Sequence, residues 1–453
     1  MTANLPRALR RGLIALLAAA AASAGAADAP RLDLAQAWQA ALANDPTLRA
    51  AAAGADSGRE LLPQAEAQLL PQVAFSYNRS ANDLSSTSPN FVGQRVTSQR
   101  NYMSSTALLS VRQPLIQPVQ WAAVRQARAQ GADADAQFAN ARQQLAARLA
   151  EAYFAFLLAD DQIALVDAQT VAHATQLDAA RKALAAGSGT RTDIDEAQAR
   201  LDLDAAQALE ARQQAMLARR QLGQLVGMPF GGVAPLDLAR LAGQPPRVGE
   251  LDDWLQRAEQ HSAELKSLQA RLEVASEELA KARARHLPTL DAIAQYNRSD
   301  SETISRIDAT SDTASIGVQL NVPIYSGGGV QSAVRQAAAE RIKAAENLAA
   351  LRADLGLRLH REYRGLSEGL LRARALEQAV RSAEQMVTSN QRSFQAGART
   401  TLDVLNAQQQ LATARRDLSQ ARYTALLSLV RLQALAGVFD EGELAGLNDW
   451  LQR

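Results

Sequence analysis

The clearest hydrophobic pattern in this chain has the period of a coiled coil. Apolar and small residues recur in alternating steps of four and three along residues 145–184. The stripe consists of Leu145, Leu149, Ala152, Phe156, Ala159, Ile163, Val166, Thr170, His173, Leu177, Ala180 and Leu184. These steps average about 3.5 residues per turn, the coiled-coil repeat. Proline is absent from 119 to 228 and from 324 to the end. Both stretches are therefore predicted to form very long helices.

Each long helix is predicted to end at a glycine turn. The sequence AGSGTRTDIDEAQARL, which contains Gly187, matches AGARTTLDVLNAQQQL, which contains Gly397, without a gap. Each preceding run is long enough for a helix of about 100 Å at ~1.5 Å per residue. Because glycine close to a helix end commonly turns the chain, each run is expected to fold back as a helical hairpin.

A different pattern, the alternation of apolar and polar residues, predicts β-strands. The segments VAFSYNRS and STALLSVRQPLI show it in the first half of the chain. In the second half the alternating apolar residues are Ile316, Val318, Leu320, Val322 and Ile324. This period of two is typical of strands. The predicted strands lie at about 71–82, 101–115, 288–299 and 313–325. Each is about as long as a tilted strand that crosses a bilayer.

The helices and strands occur twice in the same order. AVRQA recurs at 123 and 333, and YNRS at 77 and 296. We therefore interpret the chain as one duplicated module of about 200 residues. A signal peptide is predicted at 1–27, and the first repeat follows at 28–227, with its helical hairpin at 119–227. A linker at 228–249 leads to the second repeat at 250–438, whose helical hairpin lies at 329–437. The predicted C-terminal tail is 439–453. The opening helix, at 31–69, is expected to bend or break at Pro63.

The N-terminal sequence indicates that the chain is exported from the cytoplasm. Arg7, Arg10 and Arg11 precede the apolar run GLIALLAAAAA, and small residues near Ala26 offer a cleavage site. These are the features of a secretory signal peptide. The chain contains no cysteine, which excludes disulfides. Its formal charge of +1 gives no electrostatic reason to bind nucleic acid.

Four strands are too few to cross a membrane alone. In lipid every backbone polar group must be paired, so a spanning sheet must close into a barrel. The smallest such barrels have about eight strands and fill with their own side chains. A conducting barrel would therefore need at least three copies of the chain. The alternative is a soluble periplasmic coiled-coil adaptor or scaffold with a pair of short hairpins.

Candidate catalytic chemistry is sparse, so an enzyme is the weakest of the three hypotheses. The four histidines, His173, His261, His286 and His360, are scattered. The sequence contains no HExxH, cysteine-based metal or GxSxG motif. His173 lies on the coiled-coil stripe and is interpreted as a packed or interfacial residue. SGGGVQS, at 326–332, lacks the Lys-Ser/Thr of a phosphate loop and is interpreted as a turn. No cofactor and no metal site are expected.

The order of the parts and the motif FQAGARTTLDVLNAQ at 394–408 resemble TolC-type outer-membrane factors. The resemblance covers residues 31–438. It implies a mainly α fold with some β: a homotrimer in which a twelve-stranded β-barrel in outer-membrane lipid continues into a periplasmic α-helical barrel. Such proteins are the exit ducts of tripartite efflux pumps and type I secretion systems. They dock on an inner-membrane transporter through a periplasmic adaptor.

The resemblance also implies a gate at the periplasmic mouth, where the glycine turns would meet. Aspartates matching Asp403 ring the aperture in the family and bind cations, and an arginine matching Arg399 pairs with an aspartate matching Asp193. This chain departs from the pattern twice. Phe394 stands where the type member has a tyrosine, and Asn406 replaces a second acid. Weaker cation binding is therefore expected.

A purely structural role is an alternative for the same residues. Asp193 and Asp403 each lie in the first turn of a predicted helix, where an acid caps the helix and favours its dipole. Arg399 is equally well explained as an exposed turn residue. The cargo stays open between drug, metal ion, siderophore and secreted protein.

Overall fold

A computed structural model describes residues 31–246, 248–303 and 306–452. The predicted signal peptide, 1–27, lies outside the described residues. The chain forms two compact units. The first contains the described chain up to Ala50 together with Asn140–Ser262 and the described part of Asp354–Arg453, and the second contains the described parts of Ala51–Ala139 and Ala263–Ala353. Each unit draws on both halves of the chain, so the sequence repeat does not coincide with the structural units.

Helices make up most of the described chain. They are α1 (Leu34–Asn44), α2 (Pro46–Arg59), α3 (Leu61–Ala67), α4 (Pro118–Ala185), α5 (Arg191–Val226), α6 (Leu238–Gly243), α7 (Leu251–His261), α8 (Ala263–Ala284), α9 (Gly329–Gln395), α10 (Thr401–Ala436) and α11 (Glu441–Asn448). The strands are β1 (Arg31–Leu32), β2 (Gln72–Pro89), β3 (Arg95–Ile116), β4 (Gly232–Val233), β5 (Thr289–Thr303) and β6 (Arg306–Asn321). The long helices α4 and α9 are each followed by a second helix of 36 residues, α5 or α10.

The helical stretch predicted at 31–69, with a bend or break at Pro63, forms the three helices α1 to α3. Asp45 separates the first two, and its carboxylate accepts a hydrogen bond from the Leu48 backbone N–H at 2.7 Å. Pro46 then begins α2, a position where its missing N–H costs nothing. The second break falls at Glu60, and Pro63 lies inside the first turn of α3. Capping at Asp45 therefore contributes a break that proline alone did not predict.

The four long strands form one antiparallel sheet in the order β2-β3-β5-β6. The strands of the first hairpin are longer than predicted, since most of the residues between the two predicted strands, 83–100, belong to β2 and β3. Hydroxyl groups pair across this part, with Thr87 Oγ1 2.8 Å from Thr97 Oγ1. Polar residues occupy both faces there, so the alternation that reveals a strand is missing from the sequence.

The predicted irregular linker, 228–249, contains regular structure. It includes β4, which pairs in parallel with β1, and the short helix α6. The Tyr153 hydroxyl lies 3.1 Å from the Leu32 carbonyl oxygen and 3.0 Å from that of Ala234, next to this pair of strands. The tail, 439–453, also contains a helix, α11. The linker and tail meet where Leu236 bridges to Leu451.

The core of the first unit follows the predicted stripe. All of its positions are buried except Ile163, Thr170 and Leu184.

In the second hairpin, two glycines allow α9 and α10 to pack closely. A Cβ atom at Gly365 would lie 2.5 Å from Ser428 Oγ, and one at Gly369 would lie 3.0 Å from Ala425 Cβ. These glycines weaken the helix locally but permit the close contact.

The second unit combines the sheet with its own helical packing. Leu279 and Ala282 of α8 form a buried cluster with Ala337 of α9. An ion pair between Arg125 and Glu277, at 2.9 Å, joins α4 to α8. No helix of the described residues is both long enough and apolar enough to cross a membrane.

Candidate functional site

Two equivalent glycine turns join the long helices to their partners. Gly187 and Gly397 have φ angles of 77° and 74°, a left-handed conformation that glycine adopts readily. The backbone hydrogen bonds that close the turns are Gly187 to Leu184 and Ser188 to Ala183 in the first, and Gly397 to Phe394 and Ala398 to Ser393 in the second. Both therefore have the Schellman geometry of a helix C-terminus. The predicted hairpin turns lie at these glycines.

Each aspartate of the predicted gate caps the helix that follows its turn. The Asp193 backbone N–H donates to Thr190 Oγ1 at 3.2 Å, and the Thr190 N–H donates to an Asp193 carboxylate oxygen at 3.0 Å. Asp403 and Thr400 make the same reciprocal pair at 3.3 and 3.0 Å. This is a capping box, with aspartate in the third helical position. The structural role considered for these aspartates is therefore present.

These hydrogen bonds also set the charge of both turns. The hydroxyl and backbone N–H of Thr190 hold the pKa of Asp193 below its ordinary value. The backbone N–H and then the hydroxyl of Thr400 lower the pKa of Asp403, with a smaller contribution from Arg399. Since the pKa of an unperturbed aspartate is about 3.9, both carboxylates are ionised at neutral pH. Each turn thus holds one ionised carboxylate close in sequence to an arginine, Arg191 or Arg399.

The contacts of Arg399 within the chain differ from the pairing that the resemblance implies. Its Nη1 lies 3.5 Å from Asp403 Oδ1 in the same turn. The two residues are four positions apart, the spacing at which side chains meet on a helix. The side chain of Thr401, a buried residue at the start of α10, instead contributes to the lowered pKa of Asp193. Thr401, which sequence reasoning missed, therefore links the two turns within one chain.

The two positions that depart from the family pattern have different surroundings. Asn406 is exposed, and its Oδ1 accepts a hydrogen bond from Arg200 Nη2 at 3.3 Å. This bond joins α5 to α10. The Phe394 side chain is half-buried at the end of α9. Asn406 thus has a structural contact, while Phe394 contributes packing and a carbonyl oxygen to its turn.

A buried polar pair joins α4 to α5. His173 Nδ1 lies 2.6 Å from Asp204 Oδ2, and the two side chains are 1% and 4% exposed. His173 was interpreted as packed or interfacial, and it is packed within this hairpin. The sequence held a signal for its partner, because Asp204 interrupts a seven-residue spacing of buried alanines. That line is Ala197, Asp204, Ala211 and Ala218.

The part of the four-stranded sheet nearer the helices has one apolar face and one polar face, and the apolar face carries Arg298 and Asp312 towards the strand turns. Residues paired across the strands share a face, and one such row is Val73, Val111, Ala294 and Ile316. The exposed apolar residues on that face include Val73, Phe75, Tyr77, Leu109, Tyr296, Ile316, Val318 and Leu320. The opposite face carries hydroxyl and amide groups. They belong to Ser76, Asn78, Thr106, Ser110, Gln295, Asn297, Thr313 and Ser315.

Charge on the polar face is neutralised near the helices. In the four-stranded part of the sheet, the described residues place one charged pair on this face, Arg112 and Asp291. The Arg112 Nη2 atom lies 2.8 Å from Asp291 Oδ2, and Gln117 Nε2 donates to Asp291 Oδ1 at 3.0 Å. Asp291 is buried by these contacts. The face therefore presents groups that form hydrogen bonds but little net charge.

The sheet is open at both edges. β2 and β6 are its outer strands, and among the described residues neither pairs with a further strand. Free backbone groups along such an edge are a template for another strand. An apolar face of this size is also unfavourable in water. The sheet thus has the chemistry of an incomplete membrane-facing surface.

Comparisons with known proteins agree with this geometry. The family model described as "Outer membrane efflux protein" matches residues 37–228 and 254–438. The proteases secretion protein PrtF of Dickeya chrysanthemi is 32% identical over 446 residues, which cover 98% of this chain and 96% of PrtF. The alkaline protease secretion protein AprF of Pseudomonas aeruginosa is 35% identical over 419 residues, which cover 92% and 87%.

A solved structure shares the fold. The outer membrane protein VceC of Vibrio cholerae superposes with a TM-score of 0.75 at 20% identity, covering 89% of this chain and 96% of VceC. The relatives are named for secretion, and none of these three names describes an enzyme.

Proposed function

The chain belongs to the outer membrane efflux protein family, and from this we propose that three copies form the outer-membrane exit duct of a type I secretion system. Members of the family are exit ducts for type I secretion and efflux pumps. They reside in the outer membrane, with their helical part in the periplasm. They trimerise and work with an adaptor and an inner-membrane transporter. We extend this trimer and both partners to the present chain.

The observation that carries the proposal is the open, two-faced sheet. Three copies of a four-stranded sheet supply twelve strands, and pairing β6 of one copy with β2 of the next removes every free edge. The apolar face then contacts lipid and the polar face lines water. Two copies would give a barrel of about eight strands, which fills with its own side chains. Three is therefore the smallest number that leaves a passage.

The alternative of a soluble periplasmic adaptor or scaffold is not supported. Such a protein would leave Phe75, Ile316 and their neighbours in water, where an apolar patch of this extent favours aggregation. The relatives also cover nearly the whole chain and are named for secretion, not for linking two other proteins.

We assign a secreted protein as the cargo. The two relatives above 30% identity are both named for protease secretion. The polar face of the sheet supports the same assignment, because Arg112 and Asp291 neutralise each other. A lining of hydroxyl and amide groups holds no fixed charge, so it would not retain a passing polypeptide of either positive or negative net charge.

Cell fractionation with a secretion assay tests this function. In the native host, the chain should stay with outer membranes after carbonate washing and migrate as a trimer on unheated gels. Deleting its gene should leave the secreted protein inside the cell, and restoring the gene should release it. A water-soluble monomer, or normal secretion in the deletion strain, would contradict the proposal.

In the trimer, the glycine turns form the periplasmic mouth. Two turns from each copy bring the ionised Asp193 and Asp403 together in a ring of carboxylates. Fixed charge in a narrow passage attracts cations over a Debye length of about 8 Å at physiological salt. Exposed ion pairs such as Arg399–Asp403 are worth only about 0–1 kcal/mol. Because this pair lies within one turn, it does not hold one helix to another, and a docking adaptor can separate the turns without breaking it.

Asp403→Asn should at least halve the cation-to-anion permeability ratio of purified trimers in planar bilayers. Because hydrogen bonding lowers the pKa of Asp403, its charge persists below the usual range of aspartate, so wild-type selectivity should hold down to about pH 4. Thr400→Ala is the matched control, since it removes the side-chain cap but keeps the carboxylate. If both variants change selectivity equally, capping and not charge is responsible.

A further inference from the structure

The first strand hairpin extends well beyond the sheet. β3 pairs with β5 only as far as Ser104, while β2 and β3 stay paired out to Pro89 and Arg95. Residues 81–103 therefore form a two-stranded projection, here called the ribbon. In the corresponding hairpin of the second repeat, the outermost described pair is Thr303 with Arg306, close to the row of Ser104. Closing a barrel needs nothing from the ribbon.

The tip of the ribbon is a well-formed turn. Asn90 Oδ1 accepts hydrogen bonds from the backbone N–H groups of Val92, at 3.0 Å, and Gln94, at 2.9 Å. The Gly93 N–H donates to the Asn90 carbonyl oxygen at 3.0 Å. Phe91 and Val92 occupy the two central positions, and both residues are among the most exposed apolar residues of the described chain, at 112% and 83%. A turn held by its own hydrogen bonds thus presents two apolar side chains outward.

These two residues are unusual for their position. Turn tips favour Gly, Pro, Asn, Asp and Ser, and the rest of the ribbon is rich in Ser, Thr and Asn. A two-stranded hairpin is marginally stable in water unless it packs against something. Because Asn90 and Gly93 already define the turn, Phe91 and Val92 are not needed to form it. They are better explained as a contact surface.

The length of the ribbon identifies what it can reach. From Ser104 to Arg95 it rises about 30 Å at ~3.3 Å per residue. Twelve strands spaced about 4.8 Å apart and tilted by about 40° enclose a barrel with a radius of about 12 Å. Each ribbon is therefore more than long enough to reach the barrel axis. In a threefold oligomer, identical side chains from all copies can touch one another only on that axis.

We propose that the three ribbons of a trimer bend over the outer end of the barrel and pack Phe91 and Val92 against their counterparts, capping the exit. The partner is a second copy of this chain, which offers the same apolar tip at the same height. The proposal rests on the trimeric duct described above. Only two apolar side chains per copy form this contact, so a passing polypeptide can separate it.

Cross-linking tests this contact, and the absence of native cysteine leaves no background. Trimers carrying Phe91→Cys are treated with a short bismaleimide and analysed on denaturing gels. Three thiols on one axis can be linked two at a time, so covalent dimers should contain up to about two-thirds of the chains. Ser85→Cys, on the ribbon face that turns away from the lumen, is the matched control and should yield less than about one-tenth.

The unheated sample separates the possible outcomes. If the Phe91→Cys protein shows an intact trimer band but no cross-links, the proposed contact between the tips is overturned, whether the tips lie in lipid or in water. The proposed duct would stand, because the trimer has formed. Loss of the trimer band in the wild-type protein would instead contradict the proposed function. The double variant Phe91→Ser, Val92→Ser should raise single-channel conductance at least about twofold. Unchanged conductance would show that the tips do not cap the exit.

Discussion

Replacing Ile316 by arginine should abolish assembly of the protein in the outer membrane. Ile316 is 88% exposed in the single chain and lies in the row of Val73, Val111 and Ala294, within the apolar face. An arginine on the lipid face of a barrel costs about 2–4 kcal/mol near the bilayer midplane. Three copies would bear this cost together, about 6–12 kcal/mol per trimer. We expect the trimer band and secretion to be lost.

The same substitution one residue earlier is the matched control. Ser315 lies on the opposite, polar face of β6, so Ser315→Arg would place its charge in water. Trimers should form normally, and secretion should continue. The measurement is the amount of heat-sensitive trimer in carbonate-washed outer membranes from cells that express each variant at equal level. Equal loss in both variants, or loss only with Ser315→Arg, would contradict the assignment of the two faces.

Asp204→Ala should loosen the first helical hairpin at its α4–α5 contact. The change leaves His173, which is buried, without its partner at Nδ1. Leaving a buried polar group without its hydrogen-bond partner costs up to about 3 kcal/mol. Hydrogen exchange of backbone amides around 166–180 in the intact trimer should therefore accelerate by up to about 100-fold, since each 1.4 kcal/mol is about a factor of ten.

The internal repeat offers a control for this prediction. At the offset of the duplicated turns, His173 and Asp204 correspond to Ala383 and Ala414, so the second hairpin has no such pair to lose. Replacing both members by leucine should restore exchange to within about tenfold of wild type, because removing both partners leaves no orphaned polar group. If the single and double variants exchange equally fast, lost packing and not the pair explains the effect.

Much of the gate region could be predicted from local sequence. Gly187 and Gly397 mark turns because few other residues adopt a positive φ, and Asp193 and Asp403 follow threonines at capping-box spacing. The partner of Arg399 could not be predicted, because the sequence is compatible with an ion pair to either Asp403 or Asp193. In the chain, proximity within one turn favours Asp403. Thr401 was missed because a threonine at a helix start has no distinctive signal.

The long strands likewise contain parts that the sequence predicts and parts that it does not. Alternation revealed the parts of β2, β3, β5 and β6 that have one apolar face. It failed for the ribbon, where serine and threonine occupy both faces and cross-strand pairs such as Thr87–Thr97 decide the structure. Period-two patterns detect a difference between faces, so a strand without that difference is invisible to them.

The sequence by itself determined the period of the long helices, their glycine turns, the duplication and the two-faced strands, because each of these depends on neighbours a few residues apart. Only the tertiary structure decided where distant residues meet. It placed His173 against Asp204 and brought Ser428 close to Gly365, where glycine permits the close packing of two helices. Such contacts depend on how two helices are aligned along each other, and that alignment arises from the packing of whole faces.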